Sequence, residues 1–391
     1  MSGPDAALPV RRRRLFYIAG FDPRSPGLYH ILYRDESAKQ AAALGGARTV
    51  GPAERIGREA VAWEVEDASG CRTRIEVLRW DDIVRAHWHS GQMALWRDGL
   101  GLYARMLRRG HVGRMARQAP WFAFTMVLPG LALAGMGSAM LISALTAVLL
   151  AMLVGAAAPV VAGVAAGAAL AIALMARPLI ARIRTDWILR ALIFMRRHAV
   201  GAAPEMEARL DAWAMRVRTA LGEQGTDEVI VAGHSVGAQL AVQTMARARA
   251  SGDRGTAAAA VLTLGQVMPL AAWWSAQGIL PRDLSALAAD ADVAWLDVTA
   301  PPDGACMALV DPVAACGLPP TGRPRRIPAR FHRQFPPATY RRISRDGFRL
   351  HFQYLMAAEQ AGGFDWFAVS AGPRPLSAWI VEQDGRHGQP A

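Results

Sequence analysis

Residues 228–240 read EVIVAGHSVGAQL, and this stretch decides the fold. The run from Glu228 to Gly233 is short, apolar and rich in β-branched residues, which predicts a buried strand. Small residues begin a helix at Val236, almost directly after the strand. Strands that alternate with helices form parallel sheets, and such sheets bind ligands at the carboxyl ends of their strands. The turn at 234–235 therefore lies where an α/β protein places its functional groups.

Strand and helix patterns continue on both sides of this unit. Further strands are predicted at 15–21, 60–67, 72–80, 260–265 and 293–300, and helices at 26–44, 92–109, 204–221 and 236–250. The predicted fold class is α/β, with a mostly parallel sheet and helices on both faces. The segment 268–287, with its two tryptophans, is expected either to cover a site as a lid or to pack against the core.

An uncharged segment interrupts this domain. Residues 121–176 contain no Asp, Glu, Lys, Arg or His over 56 positions. A single helix of that length would extend about 84 Å, whereas the hydrocarbon core of a bilayer is roughly 30 Å thick. We therefore expect a hairpin of two membrane-spanning helices, with its turn at 135–138, 143–150 or 155–159.

Arginines gather on both sides of the uncharged segment. Four precede it, at 108, 109, 114 and 117, and six follow it between 177 and 197. By the positive-inside rule, both termini and the α/β domain then lie in the cytoplasm, and the protein is integral to the cytoplasmic membrane. No nucleic-acid-binding motif interleaves these arginines, so we expect anionic phospholipid headgroups, and not nucleic acid, as the partner of the +12 net charge.

Length and composition set the domain plan. The 391 residues are 52% hydrophobic and 19% charged, which is too apolar for a disordered chain and suits one large domain with a membrane element. The expected division is 1–118 and 201–370 for the two parts of the α/β domain, 119–200 for the hairpin with a basic interfacial segment, and 371–391 for a C-terminal tail. Cys71, Cys306 and Cys316 form no CxxC pair, so we expect reduced thiols.

The turn contains the motif GHSVG, residues 233–237. In a strand–turn–helix unit the serine of GxSxG sits on a tight, strained bend, while its glycines let strand and helix pass closely. Ser235 is therefore the candidate nucleophile, and Gly233 and Gly237 shape its elbow. The N–H of Val236, at the helix start, is placed to stabilise an oxyanion. His234 is expected to shape the turn rather than to transfer protons.

With this motif the chain resembles the α/β-hydrolase family, in particular its lipases, esterases and thioesterases. The resemblance implies a triad in the order serine, acid, histidine, with the acid in the loop after a later strand. Asp303 occupies such a loop and is the preferred acid. Asp297 lies inside the preceding strand, and Asp311 precedes Pro312, where it would start a turn or cap a helix. Both stay as alternatives.

The resemblance also implies a histidine near the C-terminus. His351 follows a turn at Gly347 and is the preferred base. His332, which lies among arginines, and His387, in the tail, are the alternatives.

A second oxyanion donor would come from the loop after an early strand, which is 19–27 in this chain. Phe21 or Asp22 is the expected supplier. This loop lacks the HGGG sequence of many lipases and esterases.

These features predict a membrane-anchored serine hydrolase that cleaves a carboxylic ester or thioester, of a lipid or other amphiphile, through an acyl-enzyme on Ser235. No cofactor or metal is expected. Two alternatives remain open. One is an acyltransferase with the same triad, and the other is a non-enzymatic membrane scaffold or transporter accessory that retains a hydrolase fold.

Overall fold

The computed structural model describes residues 8–88, 91–182, 185–252 and 254–387, without the side chains of 176–182 and 382–387. The chain divides into two compact units. Unit 1 consists of Met1–His87, Arg117–Phe122 and Met195–Ala391, and unit 2 consists of Trp88–Ala116 and Ala123–Phe194.

Unit 1 is built on one nine-stranded mixed sheet. The strands are β1 (Arg12–Ile18), β2 (Arg48–Val50), β3 (Glu54–Ile56), β4 (Ala60–Asp67), β5 (Arg72–Leu78), β6 (Glu228–His234), β7 (Ala258–Leu264), β8 (Val293–Thr299) and β9 (Arg325–Pro328). Their order is β2-β4-β5-β1-β6-β7-β8-β9, and β3 also pairs with β4. The strands from β5 to β9 in this order are parallel, whereas β4 runs antiparallel to β2, β3 and β5. The α/β class is thus observed.

β1 occupies the centre of the sheet. It pairs with β5 on one side and β6 on the other, so strands from both sides of the uncharged segment share a single sheet. The strand spans Arg12–Ile18 instead of the predicted 15–21. Its early start is possible because Arg13 is buried against Glu228 (Nε to Oε2, 2.7 Å) and donates to the Gly372 carbonyl (2.7 Å). A buried guanidinium requires such partners.

Helices cover both faces of this sheet. The helices of the chain are α1 (Gly27–Leu44), α2 (Asp81–Ala86), α3 (Gln92–Arg108), α4 (His111–Gln118), α5 (Pro120–Leu153), α6 (Ala158–Arg182), α7 (Thr185–Ala199), α8 (Pro204–Leu221), α9 (Val236–Arg249), α10 (Met268–Ala272), α11 (Ile279–Ala289), α12 (Pro312–Ala315), α13 (Pro337–Ser344), α14 (Gly347–His351), α15 (Trp366–Ala371) and α16 (Leu376–His387). Leu15 and Tyr17 of β1 join a core that includes α1 and α15. Their neighbours Phe16 and Ile18 point to the opposite face, since side chains alternate along a strand, and α9 packs against β1, β6 and β7.

The C-terminal segment and the segment expected as a lid or core element both pack into unit 1. The segment 371–391 contains α16, and the N–H of Leu376 at its start donates to Glu228 Oε1 (2.7 Å). Up to His387, this segment is therefore a helix attached to the sheet and not the expected tail. In the segment 268–287, α11 packs against α9 and Trp274 is buried. This segment has the second of its two expected arrangements, packed against the core.

Unit 2 contains two helices that are long and apolar enough to cross a membrane, α5 and the residues Ala158–Met175 of α6. The chain turns between them at 154–157, where Gly155 adopts a φ of +70°. The turn thus lies at the last of the three expected positions. Large apolar side chains such as Leu141, Leu149 and Leu170 are more than half exposed. Contiguous exposed apolar surface of this kind marks a contact with lipid or with another protein.

Helix α3 belongs to unit 2, so the division lies near residue 88 and not at the expected 118. Tyr103 of α3 donates its hydroxyl to the Met126 carbonyl of α5 (2.8 Å). Gly99 faces α7 so closely that an added Cβ would lie 2.7 Å from the Leu189 side chain. Through these contacts α3 packs against α5 and α7.

Candidate active site

Ser235 lies in the turn between β6 and α9 with a strained backbone, φ +57° and ψ −122°. A residue with a side chain rarely adopts a positive φ, and such strain concentrates at functional sites. The two motif glycines make the turn possible. An added Cβ at Gly233 would lie 2.2 Å from the Gly237 carbonyl oxygen, and one at Gly237 would lie 2.2 Å from the Ile18 carbonyl oxygen. The elbow predicted from GHSVG is therefore observed, with glycine required sterically at both positions.

The surroundings of Ser235 place backbone donors beside it. The Ser235 N–H donates a hydrogen bond to the Leu264 carbonyl (2.8 Å). Val236 is the first residue of α9, and the N–H groups of a first helical turn have no acceptor within the helix. The positive end of the α9 dipole thus lies at the serine. The loop after β1 approaches from the other side, because a Cβ at Gly20 would lie 3.2 Å from Ser235 Cβ and 3.7 Å from Oγ. The start of α9 and the loop after β1 therefore both border Ser235.

The loop after β1 is held rigidly. Asp22 is buried and accepts hydrogen bonds from the Arg24 N–H (2.9 Å), the Arg24 guanidinium and the Tyr29 hydroxyl (2.9 Å). The indole of Trp80 donates to the Ala19 carbonyl (3.1 Å) and contacts the Phe21 ring. The carboxylate of Asp22 is therefore occupied in holding the loop, so any oxyanion donor from Phe21 or Asp22 must be a backbone N–H.

Asp303 and His351 meet at this edge of the sheet, beyond the end of β8. His351 Nδ1 and Asp303 Oδ2 are 2.8 Å apart, Tyr354 donates its hydroxyl to the same oxygen (3.1 Å), and the Ala305 N–H donates to Oδ1 (2.9 Å). Burial raises the pKa of Asp303, but the charge and hydrogen bond of His351 and the bond from Ala305 outweigh it and hold this pKa below its ordinary value. The acid is thus an ionised acceptor, and its bond to Nδ1 leaves Nε2 of His351 for proton transfer.

His234 joins the elbow to the histidine. Its Nε2 lies 2.9 Å from the His351 carbonyl oxygen, and the centroids of the two imidazole rings are 4.6 Å apart. Burial, followed by the nearby His351, lowers the pKa of His234 to about 3. At neutral pH the ring is therefore uncharged, and Nε2 must carry the proton that it donates to the carbonyl. His234 holds the backbone of His351 in place, which agrees with the shaping role expected for it.

Gly265, at the end of β7, makes room for this arrangement. It adopts a φ of +57°, and an added Cβ would lie 3.0 Å from the Tyr354 ring and 3.4 Å from His351 Cε1. The Ser235 hydroxyl is half-buried, and within the described ranges no group forms a hydrogen bond with it. Hydrogen bonds to a catalytic base are often long in the absence of substrate and tighten only in its complex.

The alternative residues lie elsewhere or have other partners. Asp297 is buried within β8, where Oδ1 accepts from the Thr263 hydroxyl (2.6 Å), and Oδ2 has no partner among the described residues. Asp311 caps α12, since it accepts from the N–H groups of the two residues after Pro312 (2.9 and 3.1 Å). His332 is exposed, and the side chain of His387 lies outside the described part of the chain. Among those of these six residues whose side chains the structure describes, only Asp303 and His351 are hydrogen-bonded to each other.

Sequence reasoning missed Tyr354, Gly265 and Gly20. Tyr354 follows His351 by three residues, and the two glycines lie one or two residues after the ends of β7 and β1, at the carboxyl edge of the sheet. That position was the only available signal, because none of the three belongs to a motif. Over the described residues, no group of three or more His, Cys, Asp or Glu side chains could hold a metal ion. No family model, no curated protein and no solved structure matches the chain.

Proposed function

We propose that this protein is a serine hydrolase of the α/β-hydrolase type, which cleaves a carboxylic ester or thioester. The observation that carries the proposal is the hydrogen bond between buried Asp303 and His351, where His351 is in turn bonded to His234, the residue before Ser235 on its strained elbow. The three residues lie 48 or more positions apart in sequence, yet all follow the carboxyl ends of strands in one sheet or pack against them. This order and placement agree with the α/β-hydrolase pattern.

In the proposed reaction, Ser235 Oγ attacks the carbonyl carbon of the substrate while Nε2 of His351 removes its proton. Asp303 orients the imidazole and stabilises its charged form. The carbonyl oxygen becomes an oxyanion, which accepts hydrogen bonds from the Val236 N–H and a backbone N–H of the loop at Phe21 and Asp22. Collapse of this intermediate transfers the proton from His351 to the departing alcohol or thiol and leaves an acyl group on Ser235. Water then repeats the sequence and releases the acid.

The natural substrate in this proposal is a lipid or another amphiphile. Its support is the presence of two apolar helices in the same chain, which would keep the hydrolase at a bilayer. The arginines on both sides of these helices favour a cytoplasmic location for the termini and for unit 1. A bilayer-resident protein meets amphiphilic esters at far higher local concentration than soluble ones.

A fluorophosphonate probe tests the enzyme. The probe phosphonylates an activated serine, so purified full-length protein in detergent should be labelled, and Ser235→Ala should abolish labelling. Ser69→Ala is the matched control, because this exposed turn serine contacts only the neighbouring Asp67 and should leave labelling unchanged. Absence of labelling in folded wild-type protein would reject the hydrolase and favour the scaffold.

Product analysis then separates hydrolysis from acyl transfer. A hydrolase releases free acid from a bilayer-embedded fluorogenic ester, whereas an acyltransferase forms a new ester with an added alcohol. Turnover of a short water-soluble ester that exceeds turnover of the embedded ester would contradict the amphiphile as substrate.

A further inference from the structure

An exposed cluster of arginines lies beside the candidate active site. Residues 330–349 contain six arginines and one acidic residue, Asp346. Four of the six are solvent-exposed and lie in or near α13. We call these four, Arg333, Arg341, Arg342 and Arg345, the α13 arginine surface. The opposite side of α13 is fixed by the buried side chain of Ile343.

Many arginines of unit 1 have a carboxylate partner. Arg247 forms ion pairs with Glu207 (2.5 Å) and Asp211 (2.8 Å), and Arg249 pairs with Asp290 (2.9 Å). In the described part of the chain, by contrast, no carboxylate lies within 4.0 Å of a side-chain nitrogen on the α13 arginine surface.

Two acidic residues, Asp346 and Glu359, lie near the α13 arginine surface. Asp346 caps α14 by accepting from the N–H groups of Phe348 and Arg349 (3.0 Å each). Glu359 is exposed, and its backbone N–H bonds to Gln334 next to Arg333. Two carboxylates against four arginines leave a net positive charge on this surface, which favours an anionic partner.

The α13 arginine surface adjoins the site through α14. This helix runs from Gly347 to His351, so Arg345 lies only six residues before the candidate base. Phe348 stacks on Phe352 (4.8 Å between centroids), and Phe352 contacts the His234 ring (5.3 Å). The arginines and the proposed reaction centre therefore share one packed segment.

We propose that the α13 arginine surface binds the anionic headgroups of phospholipids. Arginine recognises phosphate oxygens with a planar, bidentate set of donors, and it is weakly hydrated, so a headgroup layer suits it well. The two apolar helices of the chain would hold the protein at a bilayer, where such headgroups are always present. The inference rests on the proposed function in one respect: anionic lipid at this surface would bring amphiphilic esters to Ser235.

Binding to added vesicles tests this surface separately from the reaction. Full-length protein is first placed in phosphatidylcholine nanodiscs, so that its apolar helices are already occupied. Sedimentable vesicles of phosphatidylcholine, with or without phosphatidylglycerol, are then added, and the bound fraction is measured. Wild-type protein should bind the phosphatidylglycerol vesicles and release them in about 0.5 M salt, since salt screens exposed charges.

The test variant is Arg341→Gln, Arg342→Gln and Arg345→Gln combined. Each arginine near an anionic surface contributes about 1 kcal/mol, so this variant should bind about 100-fold more weakly. The matched control combines Arg11→Gln, Arg55→Gln and Arg58→Gln, which removes the same charge from exposed arginines far from α13 in sequence. The control should stay within threefold of wild type, and both variants should keep the wild-type melting temperature.

Three results would overturn the inference: equal binding to both kinds of vesicle, equal loss in the two triple variants, or tighter binding of a single-stranded oligonucleotide than of phosphatidylglycerol vesicles. Ser235→Ala should bind vesicles as well as wild type does. If wild-type protein binds as expected but is not labelled by fluorophosphonate, the proposed function fails while the lipid-binding surface stands.

Discussion

Replacing Asp303 with asparagine separates the proposed acid from its alternatives. In the structure, Oδ1 accepts from the Ala305 N–H, and Oδ2 accepts from His351 Nδ1 and the Tyr354 hydroxyl. An asparagine has one acceptor oxygen and one NH2 group. If the oxygen stays with Ala305, the NH2 group faces Nδ1, so the imidazole proton must move to Nε2 and the histidine can no longer receive the proton of Ser235.

The opposite orientation places the NH2 group against the Ala305 N–H, so a donor faces a donor in a buried site. Tyr354 can rotate its hydroxyl to accept, whereas the backbone N–H of Ala305 cannot, which favours the first orientation. The wrong tautomer in a serine–histidine–aspartate triad lowers the rate about 10⁴-fold, or about 5.5 kcal/mol of transition-state stabilisation. We therefore expect the second-order labelling rate with fluorophosphonate at pH 7.5 to fall about 10⁴-fold in Asp303→Asn.

Asp297→Asn and Asp311→Asn are the matched controls, because each removes one carboxylate of similar sequence position. Asp311 only caps a short helix, and Asp297 contacts Thr263, so both variants should keep labelling within tenfold of wild type. Labelling of Asp303→Asn within tenfold of wild type would refute the assignment of the acid. An equal loss in Asp297→Asn would refute it as well.

Three further predictions concern positions around the site. His234→Phe removes the donor to the His351 carbonyl and leaves that oxygen buried without it, which should raise the activation free energy of fluorophosphonate labelling by about 1–3 kcal/mol. His234→Gln keeps an N–H donor and should recover most of the labelling rate. Gly237→Ala places a Cβ 2.2 Å from a backbone oxygen of β1 and should lower the free energy of unfolding by about 3 kcal/mol, seen as a lower melting temperature, while Gly347→Ala, which meets nothing within 4 Å, should not. Burial raises the pKa of Asp297 from 3.8 to about 7, so the stability present below pH 3.8 is lost as pH rises through 7. The wild-type melting temperature should accordingly fall between pH 3.8 and about 7, and a flat profile for wild type, or an equal fall in Asp297→Asn, would contradict this assignment.

Local signals were sufficient for the elbow. The strand before Ser235 and the helix after it are each specified by residues within a few positions, and the observed bounds differ from the predicted ones by one residue. Asp303 and His351 required more, namely their order along the chain, the place of Asp303 after a predicted strand and that of His351 after a turn at Gly347. Their contact depends on the whole sheet, so the sequence could nominate the pair but not show that it meets.

Other features depend on contacts that no local pattern records. Arg13 extends β1 into a basic run only because Glu228 lies on the adjacent strand, 215 residues later. Tyr354 has no neighbouring residues that mark it as a partner of Asp303. The sequence allows three positions for the hairpin turn because small residues occur at all of them. Helix α3 has ordinary amphipathic spacing, which does not reveal whether its apolar side meets a sheet or another helix.

The pairing of β1 with β6 has a consequence for how the protein is made. When β1, β4 and β5 have left the ribosome, the inner edge of β1 has no partner, and an unpaired strand edge is prone to join other chains. The partner strand begins about 150 residues after β5 ends, and at 5–20 residues per second its synthesis takes ~8–30 s. During that interval the two apolar helices are also synthesised, because both lie between β5 and β6 in the chain. The edge of β1 therefore stays unpaired until β6 arrives, and shielding it during this time would protect the newly made N-terminal half from pairing with other chains.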